Sequence, residues 1–211
     1  MWKATRITAD AAEKMQINAG LLLNTFDVSN PIEPTDEHIV CETTGDFSIT
    51  CTPTIEDMFA DVNNAPVNTK EGKRITGWTC GLSVTALSVT EETLKLSLGA
   101  ADTADDGGIN PRSTYDLDDF KSLYWIGDMV DEDKLFVVVM DNTVSTGGMS
   151  ITTTNNGKGK LGLTLTPHTS IAAQDKIPMA FYILNKTDSE AQAASANNGY
   201  NPDPAYDPDE E

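Results

Sequence analysis

One segment, residues 75–87 with the sequence ITGWTCGLSVTAL, restricts the possible folds of this chain more than any other. Apolar side chains alternate in it with small polar ones, and a period of two residues is typical of a β-strand whose faces differ. The apolar positions are Trp78, Cys80, Leu82, Val84 and Ala86. The small or polar positions are Gly77, Thr79, Gly81, Ser83 and Thr85. We therefore predict one long strand with its apolar face toward a core.

A single short helix is predicted directly after this strand. Ser88 and Glu91 have the spacing of a capping box, and Gly99 stands where a helix would end. Elsewhere the chain reads as strands, at residues 15–24, 39–44, 47–52, 123–127, 135–140, 161–166 and 177–184. The predicted fold class is therefore mainly β, as a two-sheet β-sandwich or barrel with one flanking α-helix.

Some of these strands carry more specific expectations. The first is predicted to place Ile17, Ala19, Leu21 and Leu23 on one face. Gly45 and Asp46 separate the next two strands, which is typical of a β-hairpin. Residues 135–140 are apolar at every position, so we expect a central strand or one covered by a neighbouring subunit.

Composition divides the chain into three parts. Residues 1–14 read as an N-terminal arm without a core pattern, and residues 15–186 read as one β-domain. Residues 187–211 are poor in large apolar side chains and rich in Asn, Pro, Asp and Glu. This composition predicts an acidic C-terminal tail that is disordered or loosely tethered. Within the domain, residues 63–74 read as a long polar loop, and such loops are usually functional or mobile.

The chain is strongly acidic, since 33 acidic against 14 basic residues give a formal charge of -19. Such a surface repels phosphate backbones, so nucleic-acid binding by counterion release is not expected. Two explanations for the charge stay open: plain solubility, and a wall to which a passing polyanion does not adhere. No apolar signal-peptide core follows residue 1 and no run is long enough to span a bilayer, so we expect no membrane association.

No arrangement of residues indicates catalysis, a cofactor or a metal ion, and we expect none of the three. The sequence GKGKLG at 157–162 matches a dinucleotide-binding pattern, but the residues after it read as a strand where that site needs a helix. The two histidines are too isolated for a zinc site. Cys41, Cys51 and Cys80 read as reduced core residues, with a Cys41–Cys51 disulfide as the alternative.

Several segments together resemble the major tail protein, or tail tube protein, of long non-contractile-tailed (siphovirus-type) bacteriophages of Gram-positive bacteria. The segments are residues 16–27, 43–46, 75–87 with 90–102, 160–168 and 177–184. The resemblance implies a two-sheet fold whose copies form hexameric rings that stack into the tail tube, a conduit for DNA. It also implies assembly in the host bacterial cytoplasm and a final place in the virion tail.

The resemblance implies a set of partners as well. These are further copies of the chain, the tape-measure protein, the tail-terminator protein and the baseplate or distal tail proteins. DNA would pass through the tube without specific binding. The inner-sheet candidates are Thr79, Gly81, Ser83 and Thr85 of the long strand.

Basic residues gather in two places and supply candidates for contacts between rings. These residues are Lys70, Lys73, Arg74, Lys158 and Lys160. Acidic residues crowd other loops, at 102–106 and 116–119, so opposite charges could meet where rings stack. The alternative is that both sets lie in solvated turns. Two other functions also stay open: a β-sandwich binding module, such as an adhesin or carbohydrate-recognition domain, and a tube protein of a contractile or secretion system.

Overall fold

A computed structural model describes residues 11, 15–45, 47–66, 68–153 and 159–186. Within these residues the chain forms eleven strands and one α-helix. The strands are β1 (Gln16–Leu23), β2 (Ile39–Thr43), β3 (Ser48–Asp57), β4 (Lys73–Ala86), β5 (Ala101–Thr103), β6 (Ile109–Pro111), β7 (Lys121–Met129), β8 (Lys134–Ser145), β9 (Ser150–Thr152), β10 (Lys160–Pro167) and β11 (Met179–Asn185). The helix is α1 (Glu91–Leu98). The N-terminal arm, except residue 11, and the C-terminal tail lie outside the described residues, so the three-part division stays a prediction.

Six of the described strands pair in a closed antiparallel ring. In order, β8 pairs with β7, β7 with β1, β1 with β2, β2 with β4, β4 with β10, and β10 with β8 again. Strands β3, β9 and β11 add to the edges of β4, β10 and β8, and β5 pairs with β6 in a separate small sheet. The predicted fold class is confirmed: mainly β, sandwich- or barrel-like, with one flanking helix.

The core of the ring surrounds the indole of Trp125, which is fully buried. Its Nε1–H donates to Thr43 Oγ1 at 3.1 Å, and the ring of Phe47 packs against it with centroids 4.6 Å apart. A second apolar cluster, with Leu23, Ile126 and Val137, covers the other face of β1, β7 and β8. Strand β8 therefore lies between two apolar layers as well as between β7 and β11, which confirms the prediction of a central strand.

Two predictions about the strands are corrected by the structure. Strand β1 has no single buried face: Leu22 and Leu23 are both fully buried, because the strand lies between the two clusters. Strands β2 and β3 do not form a hairpin with each other. Both lie along the same long strand, with Thr43 opposite Ala86 and Ser48 opposite Ser83, because β4 is long enough to pair with both.

The helix begins two residues later than the capping-box spacing predicted. Thr90 is the N-cap: its hydroxyl accepts the N–H of Thr93 at 3.2 Å, and the Thr93 hydroxyl accepts the N–H of Thr90 at 2.8 Å. The predicted helix end is confirmed at Gly99, whose φ of 79° suits glycine. Helix α1 packs against β8, β10 and the small β5–β6 sheet. Strand β5 includes residues 102 and 103, which the sequence analysis placed in an acidic loop.

Candidate assembly surface

The hairpin of β3 and β4 extends beyond the closed ring. Residues 73–81 of β4 have only β3 as a paired strand, whereas residues 82–86 pair with β10, and of these only 82 and 83 also pair with β3. The burial of the β4 side chains follows the same division. Most of residues 73–79 are exposed, whereas the buried residues are Cys80, Leu82, Val84 and Ala86. We call residues 52–79 the projecting hairpin. Most residues of its two strands are exposed.

One side of this sheet carries a run of hydroxyl groups and glycines with no charged side chain among them, which we call the hydroxyl face. Its members are Ser48, Thr50, Thr52 and Thr54 on β3, Gly77, Thr79, Gly81, Ser83 and Thr85 on β4, and Gly162, Thr164 and Thr166 on β10. Lys160 of β10 and Glu56 of β3 lie on the same side, at the ends of this run. Directly opposite residues share a face, and Ser83 lies opposite both Ser48 and Thr164. All twelve residues are exposed or half-buried. The four inner-sheet candidates therefore lie together in the middle strand of this face.

The projecting hairpin also exposes apolar side chains. They are Ile55, Met58, Phe59, Val62, Ile75 and Trp78. The prediction that Trp78 faces a core is wrong, because its side chain is 38% exposed where Trp125 is at 0%. The apolar alternation of β4 continues past the point where the ring ends, and Trp78 lines only a shallow cleft with residues 174–178. Apolar clusters of this kind typically mark surfaces that another molecule covers.

Within the described residues, the long strands β3 and β11 each present an open edge of the large sheet, and so does the three-residue strand β9, which pairs with β10 alone. Strand β3 pairs with β4 alone, and β11 pairs with β8 alone. An open edge leaves backbone N–H and C=O groups available to a strand of another chain. Pro53 lies within β3, as expected for an edge strand, because proline lacks the donor that a central position needs.

The basic residues of the hairpin tip have different surroundings. Lys73 Nζ donates to Asp57 Oδ2 at 2.8 Å and to Asn68 Oδ1 at 3.1 Å. The hydrogen bond from Lys73 to Asp57, together with one from the N–H of Phe59, lowers the pKa of the Asp57 carboxyl below its usual value. Lys73 is therefore engaged in holding its own hairpin tip together, which the sequence did not reveal.

Lys70 and Arg74 point their charges to the surface of the same tip. Lys70 is strongly exposed and lies 3.5 Å from Glu71, while Arg74 is exposed and opposite Glu56 in the strand register. Lys160 begins β10 opposite Thr152, in another part of the sheet, and Lys158 lies outside the described residues. The structure thus brings Lys70, Lys73 and Arg74 together but separates them from Lys160.

The acidic segment after α1 is partly neutralised by one residue that the sequence analysis missed. Arg112 Nε lies 3.1 Å from Asp102 Oδ1, and the other guanidinium nitrogens contact Asp116 and Asp119. Three carboxylates that looked available to another ring therefore bind an arginine of their own loop. A cleft of about 560 Å³ lies between this loop and α1, and other acidic residues line it, among them Glu92 and Asp118.

Two cysteines meet at the base of the projecting hairpin. Cys51 and Cys80 are opposite each other in the register, with 2.8 Å between their sulfur atoms. Cys41 instead lies opposite Leu22 on another strand, and burial raises the pKa of its thiol to about 12. All three cysteines are free, and the pair that is close in space is not the Cys41–Cys51 pair considered from the sequence.

The described residues contain no group of three or more His, Cys, Asp or Glu side chains arranged to hold a metal ion. In the same part of the chain, no helix has the length and apolar character to cross a membrane. The candidate site is the surface formed by the projecting hairpin and the hydroxyl face.

No protein-family model and no curated protein matches this sequence. In three dimensions the chain is similar to a chain described as part of the virion of a native gene transfer agent particle. The likeness has a TM-score of 0.36 and 11% sequence identity, and it covers 77% of this chain and 95% of that chain. At this level of similarity, the function has to be inferred from the surface of the chain itself.

Proposed function

We propose that this chain is a structural virion protein whose copies form hexameric rings, and that the rings stack into the tail tube of a siphovirus-type phage. The observation that carries the proposal is the projecting hairpin. It combines exposed apolar side chains, an open strand edge and the outer part of the hydroxyl face. A protein that functions alone has no use for such an element, since exposed edges and apolar patches favour aggregation.

Ring formation would remove both hazards. The open edge of β3 pairs with a strand of the next subunit, so that this edge is covered in every subunit of the closed ring. The same contact covers Ile55, Ile75 and neighbouring apolar side chains of the hairpin, at about 25 cal/mol for each Å² of apolar surface removed from water. A continuous sheet made from adjacent hairpins would then form the inner wall of the ring.

The hydroxyl face is the side of this wall that we assign to the lumen. The twelve residues of the hydroxyl face offer no cation for a phosphate group, and Lys160 lies only at its edge, so we expect DNA to pass without being held. The net negative charge of the whole chain also opposes DNA binding, because it repels the phosphate groups. In this role the protein needs no catalytic residue, cofactor or metal. Its partners are its own copies, the tape-measure and tail-terminator proteins, and the baseplate or distal tail proteins.

Sedimentation velocity of the full-length protein over a range of concentrations tests the proposal. Wild-type protein is expected to form species much larger than a monomer. The variant Ile55→Glu/Ile75→Glu is expected to remain monomeric, because it places two carboxylates opposite each other on the exposed hairpin. The matched control is Leu117→Glu/Ile171→Glu, which adds the same charge at two strongly exposed apolar residues outside the hairpin.

The results also discriminate between the two leading functions. Association of the wild type and the control, but not of the hairpin variant, supports assembly through the projecting hairpin. A wild type that is monomeric at every concentration contradicts it and favours the binding module. Association that all three proteins share would place the interface elsewhere on the molecule.

A further inference from the structure

The cysteine pair at the base of the projecting hairpin has no role in the proposed assembly. Cys80 is 4% exposed and Cys51 is half-buried, and each occupies the face of its strand that points away from the hydroxyl face. The pair lies where β4 leaves the closed ring of six strands: the residues of β4 on one side of it are mostly buried, and those on the other side are mostly exposed. The projecting hairpin joins the closed ring of strands at this point.

The geometry of the pair suits a covalent bond. Opposite residues of antiparallel strands have Cα atoms about 4.5–5.5 Å apart, which falls inside the roughly 4.4–6.8 Å range of disulfides. The sulfur atoms are 2.8 Å apart and would have to approach to about 2.05 Å. Bond formation therefore requires a small movement of two side chains and no change of strand register.

We propose that Cys51 and Cys80 form an oxidation site, at which a low-molecular-weight disulfide such as oxidised glutathione produces a cross-strand disulfide. The thiolate of one cysteine attacks a sulfur of the oxidant, forms a mixed disulfide and releases one glutathione thiolate. The second cysteine loses its proton and attacks the protein sulfur of that mixed disulfide, which releases the second glutathione. Two protein thiols are oxidised to one disulfide, and one small disulfide is reduced to two thiols.

The environment of each sulfur sets the order of these steps. Cys51 is the more exposed residue, so the oxidant reaches it first. Burial raises the pKa of Cys80 to about 12, and the hydrogen bond and charge of Cys51 add to the effect. In the mixed disulfide Cys51 carries no charge, so its electrostatic contribution to the raised pKa is removed. Cys80 then acts as the resolving thiol.

The disulfide would fasten the hairpin at its base. It links residues separated by 29 positions, so it closes the loop that contains the exposed tip. Such a crosslink restricts the unfolded chain and holds the two strands together. The pair stays reduced where glutathione keeps thiols reduced and is oxidised in an extracellular environment. This inference does not depend on ring formation.

Thiol counting on the full-length, unassembled protein tests the inference. The protein is incubated with excess oxidised glutathione, and the remaining thiols are titrated after denaturation. We expect the count to fall from three to one per chain, with a non-reduced proteolytic peptide joining Cys51 to Cys80. We expect the melting temperature to rise by about 5 °C and to return after reduction. Protein unfolded in urea and treated in parallel shows that the reagent is active.

Single substitutions separate the three cysteines. Cys41→Ala is expected still to lose two thiols, and Cys80→Ala is expected to stop at a glutathione adduct on Cys51. A wild type that keeps three thiols overturns the proposal, and so does a linkage that includes Cys41. Because the wild-type count needs no variant, a substitution that fails to fold leaves the test intact.

Discussion

At the scale of single residues, Thr43 connects three strands of the core. Its Oγ1 accepts the indole N–H of Trp125 at 3.1 Å and donates to the carbonyl of Gly20 at 2.9 Å. Both side chains are almost completely buried. The hydroxyl therefore satisfies a donor that no water molecule could reach.

We predict that Thr43→Val lowers the free energy of unfolding by about 1–3 kcal/mol, because the buried indole N–H loses its acceptor. Urea denaturation followed by tryptophan fluorescence measures the change. The control is Thr50→Val, the same substitution on the exposed hydroxyl face, for which we expect a change within about 0.5 kcal/mol. Equal effects at the two positions would contradict the role assigned to the Thr43 hydroxyl.

Asp57 provides a second test at this scale, because its hydrogen bond from Lys73 lowers the pKa of its carboxyl. A lowered pKa means that the charged form stabilises the folded hairpin tip. This contribution is fully present above the ordinary carboxyl pKa and is lost as the pH falls through the lowered value. We predict that Lys73→Met raises the pKa of Asp57 in a carbon-13 NMR titration. Asp131, whose pKa is lowered mainly by its own Lys134, serves as the internal control and is expected not to change.

At the scale of elements, β8 is the strand on which most of the pairing depends. It pairs with β7, β10 and β11, and Val138 lies opposite both Trp125 and Phe181. Proline at this position removes a backbone donor from a central strand.

We predict that Val138→Pro shows no cooperative thermal unfolding transition in circular dichroism. Val138→Ala keeps the backbone donor and removes only the side-chain methyl groups, so it is expected to retain a transition at a lower temperature. If the proline variant unfolds cooperatively near the wild-type temperature, then β8 is not the central strand described here.

Most strands could be predicted from the sequence, because their own residues carry the signal. The alternation of Leu161, Leu163 and Leu165 predicted β10, and the apolar run at 135–140 predicted a central β8. Strand partners could not be predicted in the same way, since pairing joins residues far apart in sequence. The sequence around Gly45 is as compatible with a hairpin as with two strands that both lie along β4.

The candidate surface was predictable in part for the same reason. The alternation within residues 77–85 placed Thr79 and Ser83 on one face, and the burial of β4 agrees with it. Only the register adds β3 and β10 to the hydroxyl face and brings Cys51 against Cys80. The exposure of Trp78 was also hidden, because a strand pattern does not show where the covering layer ends.

At the scale of the whole molecule, the described residues form a closed ring of strands with one extended hairpin, and the chain has a large net negative charge. Several of the few cations are used within the chain, as Arg112 is by its acidic loop and Lys176 is by Asp141. Stacking of rings through opposite charge therefore depends on fewer residues than the sequence indicated. Lys70 and Arg74 at the hairpin tip are the ones that we retain.

We predict that Lys70→Glu/Arg74→Gln leaves the circular dichroism spectrum and ring formation unchanged but shortens the stacks of rings, as measured by light scattering. Glutamine is used at position 74 because a glutamate there would lie opposite Glu56. Lys73 is excluded from this variant because a glutamate there would face Asp57 and disturb the tip itself. Lys121→Glu/Lys95→Gln changes the net charge by the same amount outside the hairpin and is the matched control. If the tip variant forms stacks of normal length, then the hairpin tip does not take part in the contact between rings.

The central claim is that copies of this chain form rings that stack into a tube, and electron microscopy of the purified full-length protein tests it most directly. Negative-stain images over a range of protein concentrations are expected to show rings with a central hole and, as concentration rises, tubes of uniform width. The Ile55→Glu/Ile75→Glu variant is expected to show neither. Uniform single subunits in the wild-type images at every concentration would contradict the claim.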